Sequence, residues 1–139
     1  SKTLIDRIRY AEELTNSNTG MILNLAVNYG GRWDLINAFR KLAEENNYKI
    51  DTADITEDNI EKYLSTYSNC PDLLIRTGGE YRLSNFLLWQ HAYTELYFTE
   101  CLWPDFDISD LDQAIKWFQE RERKFGALGQ DKSSVKSDV

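Results

Sequence analysis

Apolar residues follow two different patterns along the chain, and the two patterns alternate. Amphipathic spacing and helix-start signals predict five helices, over residues 3–15, 33–45, 55–64, 85–93 and 109–125. Short apolar runs bounded by turn residues predict three buried strands, over residues 21–27, 71–77 and 95–99. Strands that alternate with helices indicate a parallel sheet with helices on its faces, so the predicted fold class is α/β.

Capping residues predict where three of the helices begin. Thr56, Ser84, and Ser109 with Asp112 are side chains of the kind that accept hydrogen bonds from the first amides of a helix. Gly126 stands where the last helix is expected to end. Helical spacing also predicts which residues of the second helix face inward: Ile36, Phe39 and Ala43.

The predicted sheet is small, and its edges need a cover. Three strands leave an edge with unpaired backbone groups unless another chain, or a part of the protein outside this sequence, pairs with it. The sequence begins at Ser1 rather than Met and enters a helical pattern at once. We therefore expect it to start at an interior point of a longer chain.

Composition narrows the class of protein without identifying it. The chain has 139 residues, of which 42% are hydrophobic and 28% charged, as expected for one globular domain. Its net charge of −7 argues against non-specific binding to nucleic acid, so any anion site must be a local basic cluster. The two cysteines lack metal-binding spacing and favour a reducing, cytoplasmic compartment. The sequence has no apolar run long enough to span a membrane.

Two turns follow the first two predicted strands. They read NYGGR, residues 28–32, and RTGGEYRLS, residues 76–84. Because ligands of open α/β sheets bind outside the carboxyl ends of strands, the two turns are expected to face one pocket. The residues of this possible pocket turn are Asn28, Gly30, Gly31, Gly78 and Gly79, and their glycines permit close approach and positive φ.

The second turn carries the residues best suited to phosphate. Arg76 and Arg82 offer forked, permanently charged donors, and Ser84 is expected to open a helix whose first amides attract anions. Two arginines with a helix N-terminus suit a diphosphate better than a single carboxylate. The alternative is a pair of ordinary turns whose arginines pair with surface acids.

Glu95 and His91 are the other candidates for chemistry. Glu95 lies among aromatic residues, where a carboxylate needs a salt bridge or a hard cation such as Mg²⁺. His91 is the one histidine of the chain, and the sequence around it holds no partner pattern for a nucleophilic triad. We interpret His91 as structural, and Glu80 as a solvated turn residue.

Three stretches carry a family resemblance. LNLAVNYGGRWDLINAFRKL, DLLIRTGGEYRLSNFLLWQHAYTELYFTECLWPDF and ERERKFG resemble the C-terminal half of the cis-prenyltransferases, the family of bacterial undecaprenyl diphosphate synthases. The resemblance runs over residues 3–126. It implies that residues 1–126 form the C-terminal part of such a domain. The polar, Ser- and Lys-containing composition of residues 127–139 predicts a flexible tail.

The resemblance also implies an activity and a set of partners. Members of the family add isopentenyl diphosphate units in cis to farnesyl diphosphate, making the lipid carrier of cell-wall precursors. A homodimer, Mg²⁺, and a cytoplasmic location with peripheral membrane contact through the lipid product are implied. Arg76, Arg82 and Ser84 would hold isopentenyl diphosphate, Glu95 would be the glutamate associated with Mg²⁺, and the dimer contact would run from Ser84 through Phe98.

The sequence departs from the family pattern at two places. The motifs of the family's N-terminal half, one of which carries the essential aspartate, do not occur in it. The catalytic residue is therefore unknown here, and we expect this chain to be inactive by itself. Lys124 stands where the family has an arginine, so the positive charge is kept and the bidentate donors of a guanidinium are lost. A non-catalytic partner subunit and a generic diphosphate-binding module remain as alternatives.

Overall fold

The computed structural model describes residues 2–66 and 70–122. Its helices and strands, in chain order, are α1 (Lys2–Thr15), α2 (Gly31–Glu45), α3 (Glu57–Glu61), β1 (Leu73–Arg76), β2 (Glu95–Phe98) and α4 (Ile108–Gln119). Two single-turn 3₁₀ helices lie at Thr52–Asp54 and Trp103–Asp105.

The two strands form a parallel pair, which confirms the predicted α/β class. Leu73 lies opposite Glu95, and Arg76 lies opposite Phe98, so the carboxyl ends of the two strands coincide. Helix α4 packs on β2, where the rings of Tyr97 and Trp117 lie with centroids 5.3 Å apart. The sheet and α4 therefore form one layered unit.

The strand predicted over residues 21–27 is not formed. This segment has no regular secondary structure, and its apolar side chains are between 71% exposed at Leu23 and 90% exposed at Met21. A parallel strand requires a hydrogen-bonded neighbour and a cover on both faces. Within the described residues neither is present for this segment, so a strand-like sequence stays unpaired.

The hydrophobic core lies between α2 and α3. Among the described residues its buried side chains are Ala38, Leu42, Ile60 and Leu64, and Ala114 of α4 is buried apart from them. The inward face predicted for α2 is therefore wrong in part, because Ile36 and Phe39 are exposed and Ala43 is only half-buried. Helix α2 carries two apolar stripes, and α3 covers the one that contains the small residue Ala38.

The helix predicted over residues 85–93 is also wrong. The chain makes a series of turns there, with positive φ at Ser84, Asn85 and Leu87. Three left-handed residues so close together are incompatible with a right-handed helix. Side chains of the segment bond to α2 from Asn85 and to α3 from Trp89, so tertiary contacts replace helical ones.

The start of α3 is predicted correctly, and that of α4 is displaced. Thr56 caps α3 by accepting from the Asn59 amide at 3.2 Å. The capping box of α4 consists of Asp107 and Asp110, two residues before the predicted pair. Helix α4 ends at Gln119 rather than residue 125, and Gly126 and the predicted tail lie outside the described residues.

Candidate anion-binding site

The glycine turn after β1 is held against the chain that leaves β2. Gly78 and Gly79 have φ of +88° and +71°, so both need glycine, as predicted. The Gly78 amide donates to Cys101 O at 2.8 Å, and the Gly79 amide donates to Thr99 O at 2.9 Å. These amides therefore bind the protein, and the turn sets the direction in which β1 leads into the next loop.

Arg76 and Ser84 lie together at the carboxyl end of β1. Nη1 of Arg76 donates to Ser84 Oγ at 3.0 Å and also to the carbonyl oxygen of Arg82. The loop between them folds back over the guanidinium. Since the Ser84 oxygen accepts from arginine, its hydroxyl hydrogen can be donated to a ligand.

Arg82 contributes its carbonyl to this cluster, while its side chain points to an acid. Its guanidinium pairs with the Glu80 carboxylate, with side chains 64% and 44% exposed respectively. An exposed ion pair of this kind is worth little, so an anionic ligand can displace it at low cost. The sequence left open the alternative that both arginines pair with surface acids. Arg82 does so, whereas Arg76 donates to Ser84 and to a carbonyl.

The first predicted pocket turn contacts Asn85, the residue that follows the second predicted turn. The Gly31 amide donates to Asn85 O at 2.7 Å, and the Arg32 amide donates to Asn85 Oδ1 at 3.0 Å. A Cβ added at Gly30 would lie 2.9 Å from Asn85 Nδ2, so this approach needs the glycine. Asn28 has φ of +55° and turns the chain into the contact.

A buried carboxylate that sequence reasoning missed lies beneath the first turn. Asp34 is 1% exposed and accepts from Tyr29 Oη at 2.9 Å, Ser65 N at 3.0 Å and Ser65 Oγ at 2.7 Å. Its position in the first turn of α2 places the negative charge where the helix dipole favours it. The signal was an acid on the same helical stripe as Ala38 and Leu42.

The electrostatic consequence of this carboxylate appears at Tyr29. Burial, then the hydrogen bond to Asp34 and its charge, raise the pKa of Tyr29 to about 12. Tyr29 therefore stays neutral over the physiological range and serves as a donor to Asp34.

His91 has the structural character that the sequence suggested, although it lies in a turn and not in a helix. It is 8% exposed, and its Nδ1 lies 3.1 Å from Thr94 Oγ1. Because the Thr94 hydroxyl donates to Pro71 O at 2.7 Å, we assign the hydrogen to His91 Nδ1. Nε2 is buried without a partner among the described residues, and burial lowers the pKa of His91.

Glu95 does not join the cluster around Arg76. It begins β2 opposite Leu73, whereas Arg76 lies opposite Phe98, three positions and about 10 Å further along the sheet. The part of the chain that the structure describes contains no group of three acids, histidines or cysteines able to hold a metal ion. These residues do not fit a magnesium site by themselves, and the assignment of Glu95 stays a prediction.

The fold and these contacts define an α/β protein with a candidate anion-binding cluster at one edge of its parallel sheet. A guanidinium, a hydroxyl and a glycine turn lie at the carboxyl end of a parallel strand, the edge at which α/β proteins bind ligands. No helix in the described ranges has the length and apolar character of a membrane span.

Known proteins with similar sequences show to which family of α/β proteins the chain is related. The family model of undecaprenyl diphosphate synthases matches residues 1–126. The farnesyl-diphosphate-specific ditrans,polycis-undecaprenyl-diphosphate synthase of Vibrio vulnificus is 51% identical over 140 aligned positions, covering 99% of this chain and 55% of that enzyme. An isoprenyl transferase of Neisseria meningitidis is 53% identical, covering 91% of this chain and 49% of that protein.

Solved structures agree with the sequence relatives. Lavandulyl diphosphate synthase from Lavandula x intermedia, in complex with dimethylallyl diphosphate, superposes with a TM-score of 0.84 at 46% identity and covers 91% of this chain. The probable undecaprenyl diphosphate synthase of Campylobacter jejuni superposes with a TM-score of 0.77 at 35% identity. The chain matches 55% and 57% of these two chains respectively.

The chain belongs to the cis-prenyltransferase family of undecaprenyl diphosphate synthases. It spans about half the length of the curated relatives it matches.

Proposed function

We propose that this chain supplies the isopentenyl diphosphate site of a cis-prenyltransferase that extends farnesyl diphosphate to undecaprenyl diphosphate. Two relatives with 51% and 53% sequence identity have names that state this product and specificity for farnesyl diphosphate. The observation that carries the proposal is the contact of Arg76 with Ser84 at the carboxyl end of β1. That cluster offers charged and hydroxyl donors to phosphate oxygens at a sheet edge.

The proposed work of these residues is to bind and orient one substrate. Arg76 uses Nη1 for the Arg82 carbonyl and for Ser84, and its other guanidinium N–H groups have no acceptor among the described residues. Those groups and the Ser84 hydroxyl would hold the diphosphate, and Arg82 would join after leaving Glu80. Holding isopentenyl diphosphate in place makes its encounter with the allylic partner a local event.

The reaction itself joins the two substrates at carbon. The new carbon–carbon bond forms as diphosphate leaves the allylic substrate, and the isopentenyl unit loses a proton to restore a double bond. The diphosphate of isopentenyl diphosphate is retained, so the grip of Arg76 and Ser84 persists through the step. The family aspartate belongs to a motif that does not occur in this sequence.

Other components of the proposal follow from family membership. Mg²⁺ would accompany the substrate diphosphates, with Glu95 as the associated glutamate and other ligands from outside the described residues. A homodimer, and a cytoplasmic location with membrane contact through the lipid product, complete the proposal. Residues 1–126 would form the domain part that this chain contributes.

A chimera tests the proposed activity. The part of the Vibrio vulnificus enzyme that this chain does not span is fused to these 139 residues, and labelled isopentenyl diphosphate is followed into product with farnesyl diphosphate and Mg²⁺. We expect long-chain product. Arg76→Ala in the chimera should lower kcat/KM for isopentenyl diphosphate by roughly 30- to 100-fold, the value of about 2–3 kcal/mol of charged hydrogen bonding.

Arg40→Ala provides the matched control, because it removes an exposed arginine of α2 outside the cluster. This variant should elongate at the parent rate. A folded chimera without product would contradict the proposed activity, and equal rates in the Arg76 and Arg40 variants would contradict the assigned site.

A further inference from the structure

Asn85 caps a helix from a distance of more than fifty residues. The amides of Gly31 and Arg32 open α2, and both donate to Asn85, at 2.7 Å to its carbonyl and 3.0 Å to Oδ1. The first amides of a helix have no partner within the helix. Gly30, the residue at the usual capping position, has no side chain to serve them. Asn85 therefore does the capping that the local sequence does not provide.

Asn85 is also the next residue in the chain after Ser84, which belongs to the candidate substrate site. Ser84, which accepts from Arg76 Nη1 at 3.0 Å, precedes Asn85 in the chain. Ser84 and Asn85 have φ of +48° and +65°, and asparagine is among the few residues that tolerate this conformation. A residue whose backbone and side chain are both fixed on α2 thus determines where the Ser84 hydroxyl lies.

The glycines of the first turn make this attachment possible. A Cβ at Gly30 would lie 2.9 Å from Asn85 Nδ2, and a Cβ at Gly31 would lie 2.9 Å from Leu88 Cγ, 3.0 Å from Leu88 N and 3.2 Å from Asn85 O. A side chain at either position would therefore press on Asn85 or on Leu88 close to it. The NYGGR turn therefore serves as the surface that receives Asn85.

We propose that Asn85 is a positioning residue, which caps α2 and thereby holds Ser84, and through it Arg76, in the geometry that binds a diphosphate. This inference rests on the proposed function and adds a residue to that site. In this proposal Asn85 does not contact the ligand. Its influence passes through Ser84, and this gives a sharp test.

The test is a double-mutant cycle on the 139-residue chain, with inorganic diphosphate as the probe and Kd measured by calorimetry. Asn85→Gly keeps the left-handed backbone and the carbonyl acceptor and removes Oδ1. We expect it to weaken binding about tenfold, the effect of one hydrogen bond. In a Ser84→Ala background the same change should weaken binding less than twofold, because the residue it positions is gone.

Asn85→Asp is the second variant, because it retains an oxygen that accepts from the Arg32 amide. We expect its Kd within about threefold of the parent when measured in salt that screens the added charge. Urea unfolding of each variant checks that the chain is folded. If Asn85→Gly does not fold, Asn85→Ser takes its place, since its shorter side chain leaves the Arg32 amide without its acceptor.

Two results would overturn the inference. One is a Kd for Asn85→Gly equal to that of the parent, and the other is the same loss with and without Ser84. If the unsubstituted chain fails to bind diphosphate, the proposed site itself fails, which is a different outcome from binding that ignores Asn85.

Discussion

At the scale of single residues, the buried carboxylate of Asp34 organises the contacts of the first turn. Asp34 joins the first turn to the segment after α3 through Tyr29 and Ser65. A buried carboxylate with three donors is stable in place, and removing it leaves those donors without an acceptor. Asp34 therefore stabilises the fold, and through Tyr29 it also fixes the geometry of the first turn.

Asp34→Ala should lower the free energy of unfolding by about 3 kcal/mol, because the Ser65 amide and the Tyr29 hydroxyl lose their acceptor. Urea denaturation measures this change. Glu44→Ala, an exposed acid on the same helix, should stay within about 0.5 kcal/mol of the parent. A loss below about 1 kcal/mol at Asp34 would show that its network contributes little.

His91 predicts a pH dependence of stability. Burial lowers the pKa of His91 below its ordinary value near 6.5, so the unfolded chain binds a proton more readily. The stability from neutral His91 is present above about pH 6.5 and is lost as pH falls through the lower folded pKa. The free energy of unfolding measured with urea should therefore be lower at pH 5.5 than at pH 7.

His91→Leu removes the only histidine and should remove this decrease. The difference in pH slope between the parent and the variant reports the imidazole, because the other titratable groups are common to both proteins. An unchanged pH slope in the variant would mean that other groups cause it.

At the scale of elements, the parts that depend on local sequence were predictable. The strands near residues 73–76 and 95–98, helix α1 and the Thr56 cap follow from apolar runs, spacing and a capping side chain. The turns around Ser84 were not, because φ near Ser84 and Asn85 is set by α2, which lies far away in sequence. Propensity predicts a helix there, and tertiary contacts override it.

The conformation of the glycine turn after β1 makes it sensitive to an added methyl group. Gly79 has φ of +71°, and its nearest neighbour to an added Cβ is 3.9 Å away, so the conformation and not the space forbids a side chain. Gly79→Ala should cost about 1–2 kcal/mol in thermal or urea unfolding. Gly20→Ala, where nothing lies within 4 Å and φ is ordinary, is the control.

The Gly20 variant should stay within about 0.5 kcal/mol of the parent. Equal effects at the two glycines would remove the argument that the turn after β1 is conformationally demanding.

At the scale of the whole molecule, the sequence is more apolar than the described structure can bury. The segment over residues 21–27 is a strand by pattern and an exposed coil in fact. Strand formation depends on partners as much as on propensity, which is why the pattern failed here. Arg76, Ser84 and the turn glycines could be grouped from the sequence because they are close along the chain. Asn85 was missed because its partners Gly31 and Arg32 are distant in sequence, and the Ser65 contacts of Asp34 were missed for the same reason.

The exposed segment should bind an apolar dye. Leu23→Ser with Leu25→Ser should lower Nile red fluorescence and leave the free energy of unfolding within about 0.5 kcal/mol, because both side chains are exposed. Ile108→Ser, at 78% exposure outside the segment, should leave the fluorescence unchanged. Loss of folding in the double variant would contradict the exposed position of residues 21–27.

The proposed function depends most on one cluster, in which Arg76 and Ser84 would hold a diphosphate at the carboxyl end of β1. Calorimetric titration of the chain with isopentenyl diphosphate, for the parent and for Arg76→Ala, tests it most directly. We predict binding by the parent and a loss of roughly 30-fold or more in the variant, with Arg40→Ala unchanged. Equal affinity of the parent and the Arg76 variant would contradict the assigned site.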